Sequence, residues 1–283
     1  MNKHDLHQNP STYFERTKMT RDMRWQVADW LADERLPELN HNSKIVKTSS
    51  GIYLRCVKRI LDICISLIAL IVTLPLNAII AIMTLVDVGT PLLFRQKRTG
   101  FHGKEFEIIK FRNMKDTRDE RGELLPAKDR VTRWGKFVRK TSLDELLNFW
   151  SVLKGDMSLI GPRPLPTEYF HRYTNRHACR LNVRPGLECP PRKLEGHRPS
   201  WQEQFENDVW YVEHVSFKTD LQMLIQLFKY VFDRKSAWAR AEVNEKGIFM
   251  GYDEAGIAIN LEQVPEEYIE RAFKEMINTR KGD

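Results

Sequence analysis

"KRILDICISLIALIVTLPLNAIIAIMTLV", Lys58 to Val86, is the stretch on which the architecture turns. From Ile63 to Val86 it carries no charge. As one helix that segment reaches roughly 36 Å, more than the bilayer's hydrocarbon core of about 30 Å. Such a length disfavours a buried core helix. Two features set the run apart from a simple crossing. Pro75, with Asn77 just beyond it, sits mid-run, where proline removes a backbone hydrogen bond and kinks a helix. Both flanks are basic: Arg55, Lys58 and Arg59 precede the run, and Arg95, Lys97 and Arg98 follow it. Basic flanks favour the cytoplasmic side of a membrane. A single crossing strands one cluster on the wrong side, whereas a helix-break-helix that enters and returns keeps both on the right one. A re-entrant helix is therefore expected, with a plain span that tolerates its proline as the alternative. Lys58 and Asp62, four residues apart, can pair on one face.

Around this run, the 283 residues suffice for one domain or two small ones. Hydrophobic residues make up 42% and charged residues 29%, enough for a packed core. The formal net charge is +7, which suits an anionic partner: a nucleic acid, a phosphorylated ligand or a membrane surface. The excess is local, because Pro91 to Lys140 holds 15 Lys+Arg against 7 Asp+Glu. The four cysteines, Cys56, Cys64, Cys179 and Cys189, show no CxxC spacing. That argues against a disulfide framework or zinc site. The opening "MNKHDLHQNPSTYF" lacks the early apolar core of a signal peptide.

Upstream, a helix is expected around Thr20 to Leu36, with Met23, Val27, Trp30 and Leu31 on one face. It reads either as a packing helix or as a membrane-surface helix. Downstream, "PLLFRQKRTGFHGKEFEIIKFRNM" predicts a β-hairpin turning at "TGFHG". Farther on come a Pro-rich loop, "NVRPGLECPPRKLEGHRPSW", and a mainly helical stretch. The final piece, "VPEEYIERAFKEMI", predicts an amphipathic helix with proline near its first turn.

The chemistry concentrates in "TSLDELLNFWSVLKGDMSLIGPRP", Thr141 to Pro164. Ser142 with Glu145 three residues on reads as a capping box. Asp144 and Glu145 are adjacent carboxylates at the expected helix start. They suit Mg²⁺, which takes oxygen ligands and is often held by one or two carboxylates plus substrate phosphates. An aspartate beside a diphosphate can also act as nucleophile and form an acyl-phosphate. The bland reading is a charged first turn that complements the helix dipole. Arg163, fixed between Pro162 and Pro164, makes a bidentate phosphate fork. Arg95, Lys110, Arg112 and Arg139 add positive charge as candidate substrate-binding residues. Asp156 either supports the site or caps a turn. There is no GxxxxGK[ST] loop, GxGxxG or HExxH, and no recognised nucleic-acid-binding module.

From Lys58 to roughly Trp238 the chain resembles the bacterial sugar transferases, the monotopic phosphoglycosyl transferases. The resemblance is carried by "KRILD", the mid-run Pro75, "RTGFHGKEFEIIKFRNM", "RKTSLDELLNFWSVLKGDMSLIGPRP", "RPGL" and "DVWYVEHVSFKTD". It implies transfer of a sugar 1-phosphate from a UDP-sugar to polyprenyl (undecaprenyl) phosphate at the bacterial inner membrane, catalytic domain in the cytoplasm, as an early step of surface glycan synthesis. It makes Asp144 the nucleophile that expels UMP and Glu145 its assistant. The pair would hold Mg²⁺, Arg163 would bind phosphate, and the hairpin would lie near the nucleotide-sugar. No nucleic acid is implied, and a homodimer stays open.

The expected fold is α+β and mostly helical. Residues 1–51 form a polar extension with one amphipathic helix, 52–90 the re-entrant helix, 91–240 the catalytic domain and 241–283 a C-terminal extension with a terminal helix. Where the family commonly continues "RPGL" with Thr-Gly, this chain has Glu188, Cys189, Pro190 and Pro191. Leu147 replaces a usual proline. The altered loop leaves one alternative, a catalytically silent homologue that binds UDP-sugar or scaffolds glycan-assembly enzymes.

Overall fold

The structure, a computed structural model, describes residues 16–41, 43–120, 122, 124–125, 127–192, 199–232 and 247–282. Residues 193–198 of the Pro-rich loop lie outside that set. The principal elements in chain order are α1 (Arg21–His41), α2 (Lys58–Asp87), β1 (Leu93–Thr99), β2 (Glu105–Phe111), α3 (Arg133–Lys140), α4 (Asn148–Lys154), β3 (Ser158–Ile160) and β4 (Gly186–Glu188). They continue with α5 (Trp201–His214), α6 (Phe217–Phe232), β5 (Phe249–Tyr252), β6 (Ala258–Asn260) and α7 (Glu266–Gly282). Helices dominate, and the strands form three two-stranded sheets among the described residues.

Helix α2 runs without interruption through Pro75, preceded by a π-helical turn at Tyr53–Val57. The break expected at Pro75 and Asn77 is absent as a loop: the helical assignment is continuous. Proline cannot donate to the Ile71 carbonyl, yet the flanking turns keep their own bonds. Together the two segments are long and apolar enough to cross a membrane. Buried positions on α2 are Lys58, Asp62, Ser66, Asn77, Ile80 and Thr84. At the first end Lys58 Nζ pairs with Asp220 and donates to the Ile160 carbonyl at 3.0 Å. Asp62 Oδ1 accepts from Ser158 Oγ and the Leu159 N–H, at 3.0 and 3.1 Å. Lys58 thus pairs with α6 rather than with Asp62. At the far end Ile80 packs with Phe111 and Val138, and Trp134 Nε1 donates to Thr84 Oγ1. Between Ser66 and Asn77 nothing is buried, and Ile68, Ile71, Val72 and Leu74 are exposed. Both ends of the helix dock on one body, while every residue between Ser66 and Asn77 is exposed or only half-buried.

The hairpin forms as expected, β1 against β2 from Leu93↔Phe111 to Thr99↔Glu105. A second pairing was not foreseen. The "SLI" before Gly161 and the "GLE" after Pro185 run parallel, Ser158↔Gly186 and Ile160↔Glu188. This contact explains two glycines at once. A Cβ on Gly161 would stand 2.5 Å from the Arg184 carbonyl oxygen, and one on Gly186 would stand 2.1 Å from the Gly161 nitrogen. Only glycine lets the backbones approach this closely. The "GPRP" and "RPGL" motifs are therefore two sides of one junction.

The terminal extensions pack together. Met23, Val27, Ala28 and Leu31 of α1 are buried against Met250 of β5, Ile259 of β6 and Tyr268, Ile269 and Ala272 of α7. This favours the packing reading of the first helix. Helix α1 continues to His41 through Pro37, past the expected end at Leu36. Phe249 and Tyr252 carry the same unit onto Tyr169, Tyr173, Trp201 and Phe205.

Candidate active site

The dyad does not open a regular helix. Ser142 adopts φ 57°, ψ 20° and makes no side-chain cap, so the capping box does not form. Leu143–Glu145 is a single 3₁₀ turn, and α4 starts only at Asn148. Apolar packing sets this geometry: Leu143, Leu146 and Leu147 press into the cluster of Ile80, Phe111 and Val138. Asn148 Oδ1 meanwhile accepts from the Ile109 N–H of β2 at 3.1 Å. Because α4 begins later, the dyad is not in its first turn, and the dipole-complement reading falls.

At about three residues per turn, neighbours diverge by about 120°, and the two carboxylates take different partners. Asp144 is 5% exposed, and Asn113 Nδ2 donates to its Oδ2 at 2.9 Å. Burial, then the Glu145 charge, push its pKa up to about 6, against the pull of Lys110 and Arg139. Glu145 is the opposite case. Its Oε1 accepts from both Lys110 Nζ and Arg163 Nη2. Burial works to raise its pKa, but Arg163 and Lys110 outweigh it and hold Glu145 at about 2. Two adjacent carboxylates are thereby set apart, one poised near neutrality and one permanently ionised.

Arg163 spans the junction. Beyond Glu145 it donates through Nη1 to the Leu187 carbonyl at 3.1 Å and to Glu188 Oε2 at 3.2 Å. The residue at which this chain departs from the family's usual loop thus reaches the site directly. Arg180 Nη2 in turn donates to the Arg163 carbonyl at 2.7 Å, fixing the backbone between the prolines. Arg139 joins the group: its charge acts on Asp144, and its Nη1 is buried with no hydrogen-bond partner.

Two sequence candidates stand elsewhere. Strand alternation puts Phe94↔Lys110, Gln96↔Ile108 and Arg98↔Phe106 on one face of the hairpin, leaving Arg95 on the other. Arg95 is 59% exposed and pairs with Glu107 at 3.6 Å. Arg112 spends its guanidinium on the Pro91 carbonyl and Asp116, at 3.0 and 2.7 Å, bracing the strand's end. Asp156 pairs with Lys154 across the turn at Gly155, at 2.6 Å. Sequence reasoning missed Asn113, three residues past Lys110 and one past Arg112 in "KFRN". It named Arg98 only as a membrane flank; the cross-strand register, Phe94↔Lys110 and Arg98↔Phe106, is what sets it on the face of Lys110.

The bacterial sugar transferase profile matches residues 53–234, well over half of the chain. The chain belongs to the bacterial sugar transferase family. Among its relatives is the uncharacterized sugar transferase EpsL of Bacillus subtilis. It is 41% identical over 168 residues, covering 59% of this chain and 83% of EpsL. The undecaprenyl-phosphate galactose phosphotransferase of Salmonella typhimurium is 33% identical over 227 residues, covering 71% of this chain and 44% of that protein. The UDP-glucose:undecaprenyl-phosphate glucose-1-phosphate transferase of Xanthomonas campestris is 30% identical over 198 residues, 66% of this chain and 41% of its own length. The chain spans most of EpsL and under half of the two longer relatives. As a sugar transferase it carries α1, β5, β6 and α7 outside the matched stretch.

Proposed function

We propose that this enzyme transfers a sugar 1-phosphate from a UDP-sugar to polyprenyl phosphate, releasing UMP. The observation that carries the reading is Asp144, buried beside Glu145 with its pKa raised to about 6 against the pull of Lys110 and Arg139. Such a carboxylate is ionised at neutral pH yet more basic than an ordinary aspartate, which suits a nucleophile. An Asp144 oxygen attacks the phosphorus that bears the sugar. The bond from that phosphorus to the UMP oxygen breaks, and UMP leaves with the electron pair. A polyprenyl phosphate oxygen then attacks the same phosphorus, freeing the Asp144 carboxylate and forming the polyprenyl diphosphate sugar. Lys110 and Arg163 keep Glu145 ionised and fixed, and Asn113 orients Asp144.

The donor set fits Mg²⁺, since Asp144 and Glu145 offer hard carboxylate oxygens beside a cationic wall. These two residues would hold the ion, which when bound neutralises charge on the donor diphosphate. The sequential order of the two attacks makes the kinetics ping-pong. The longer relatives' names, which join undecaprenyl phosphate to galactose or glucose phosphate transfer, support the same reaction class.

We read α2 as re-entrant and the enzyme as bound to the cytoplasmic face of the bacterial inner membrane. Support comes from two docked ends with an exposed apolar middle, and from basic residues at both flanks. The decisive test measures UMP release by purified protein with Mg²⁺, undecaprenyl phosphate and a panel of UDP-sugars. Release with at least one donor is expected. No release with any of them would overturn the transferase reading in favour of a silent binding protein.

A further inference from the structure

We propose that Arg98, and not Arg163, is the arginine that binds the phosphates of the sugar-nucleotide donor. The inference rests on the transferase reading above and assigns a residue within it.

Arg163 is already committed within the protein. Its Nη2 is engaged by Glu145, and its Nη1 by the Leu187 carbonyl and Glu188. Two carboxylates thus neutralise one guanidinium, and the rigid arginine serves as a brace between the dyad and the β3–β4 junction. Arg98 lies next to it, on the strand that bridges to Pro166, with the Thr99 N–H donating to the Leu165 carbonyl at 3.0 Å. Its partners are different in kind. Nη2 donates to the neutral Gln96 Oε1 at 2.6 Å, and Nε is buried with no hydrogen-bond partner. No carboxylate pairs with Arg98 among the described residues. Burial, then repulsion from Arg163, lower its pKa to about 10, against the pull of Glu145 and Glu168, neither of which forms an ion pair with it.

A partly buried guanidinium without a counter-ion is costly, because its desolvation is not repaid by pairing. A planar guanidinium whose Nε has no partner and whose Nη2 meets only a neutral amide matches a phosphate's oxygens. Strand alternation puts this fork on the same face as Lys110, whose ammonium touches the dyad. Cations also outnumber anions at the site. Lys110, Arg98, Arg139 and Arg163 make four cations against the three carboxylates of Asp144, Glu145 and Glu188. A diphosphate supplies the missing charge. A polyprenyl phosphate could supply similar oxygens, and ping-pong kinetics read the two substrates separately.

The test compares wild type with Arg98→Gln and Arg98→Lys. Thermal melts are recorded alone, with UDP and with inorganic pyrophosphate, and Michaelis constants are measured for donor and acceptor. Arg98→Gln alone should melt at or above the wild-type temperature, since it removes an uncompensated charge. The rise in melting temperature caused by UDP or pyrophosphate should disappear, and the donor KM should increase at least tenfold with the acceptor KM unchanged. Arg98→Lys should fold and show an intermediate donor KM. A lower melting temperature with an intact UDP response would make Arg98 a structural brace and overturn the proposal. A change confined to the acceptor KM would assign the residue to the lipid phosphate and overturn it as well. If Arg98→Gln does not fold, an unchanged donor KM in Arg98→Lys refutes it. Failure of the wild type to release UMP would sink the transferase reading, whereas loss of pyrophosphate stabilisation in Arg98→Gln would still establish the anion site.

Discussion

Asp144 couples activity to stability with opposite signs. Its folded pKa of about 6 lies above the ordinary aspartate value of 3.8. The folded state therefore holds the proton more tightly than the unfolded chain. Stability is greatest below the unfolded value, falls as pH rises between the two, and is flat above about pH 6. The ionised carboxylate thus costs stability at the pH where it reacts. Asp144→Asn should abolish labelling of the protein by radiolabelled donor in the absence of acceptor. It should also raise unfolding free energy at pH 7.5 by about 1–3 kcal/mol, an upper range from the size of the shift. Near wild-type turnover would refute the nucleophile assignment. The donor half-reaction should rise through pH 6 and level off above it, which rapid-quench labelling across pH 5–8 can follow. At Arg163 the fork divides among Glu145, Glu188 and the Leu187 carbonyl, which a lysine cannot reproduce. Arg163→Lys should lower kcat/KM by roughly 5- to 150-fold, or about 1–3 kcal/mol. Unchanged kcat/KM would reduce Arg163 to a turn residue.

Among the elements, α2 is held at its first end by a buried ion pair. Lys58 and Asp220 are 8% and 12% exposed in their side chains, and Tyr211 also donates to Asp220, at 2.7 Å. Removing one member of such a pair leaves an unpaired buried charge. Lys58→Met should cost about 3–5 kcal/mol in a urea titration of the detergent-solubilised protein. A cost below 1 kcal/mol would mean that the helix base is held by its apolar contacts alone. The topology is open to cysteine labelling in intact cells, with native cysteines removed. Ser50 and Lys97 are both exposed and flank α2, whereas Thr99, at 3% exposure, would be silent for want of access. Cysteines at 50 and 97 should both escape an impermeant reagent. Labelling of position 50 alone would establish a single crossing. Replacing Pro75 and Asn77 with leucine should move toward that outcome, because it restores the backbone bond that Pro75 lacks and removes the mid-run polar group.

Across the whole molecule, the terminal segments close on each other and on the catalytic body. Phe249 is fully buried and stacks or edges against Tyr169, Tyr173, Trp201 and Phe205. His177 links the same unit inward, through Nδ1 to the Tyr252 hydroxyl at 2.8 Å and through Nε2 to Glu206 at 3.0 Å. Tyr169 follows the Arg163 turn by six residues, so the terminal unit steadies the segment that carries the brace. Phe249→Ala should destabilise by about 3–5 kcal/mol, with one cooperative transition by fluorescence and circular dichroism. Two separate transitions would show that the terminal unit melts by itself.

Local and periodic information determined much of this protein from sequence alone. The uncharged length of Ile63 to Val86 required a membrane-scale helix, and alternation around "TGFHG" required the hairpin. Helical spacing put Met23, Val27 and Leu31 on a buried face, and a dyad beside a stiff arginine pointed to phosphate chemistry. Each of these follows from residues within about thirty positions of one another. What the tertiary structure decided came from contacts across the chain. Leucine packing against Ile80 and Phe111 turned the expected capped helix into a 3₁₀ turn and separated the two carboxylates' partners. The parallel β3–β4 contact brought Glu188 to Arg163, and only that contact shows the phosphate-fork arginine to be already neutralised. Spacing cannot say which of several basic residues lacks a counter-charge. That depends on the carboxylates that distant segments deliver, and here they reach Arg163 and leave Arg98 without one.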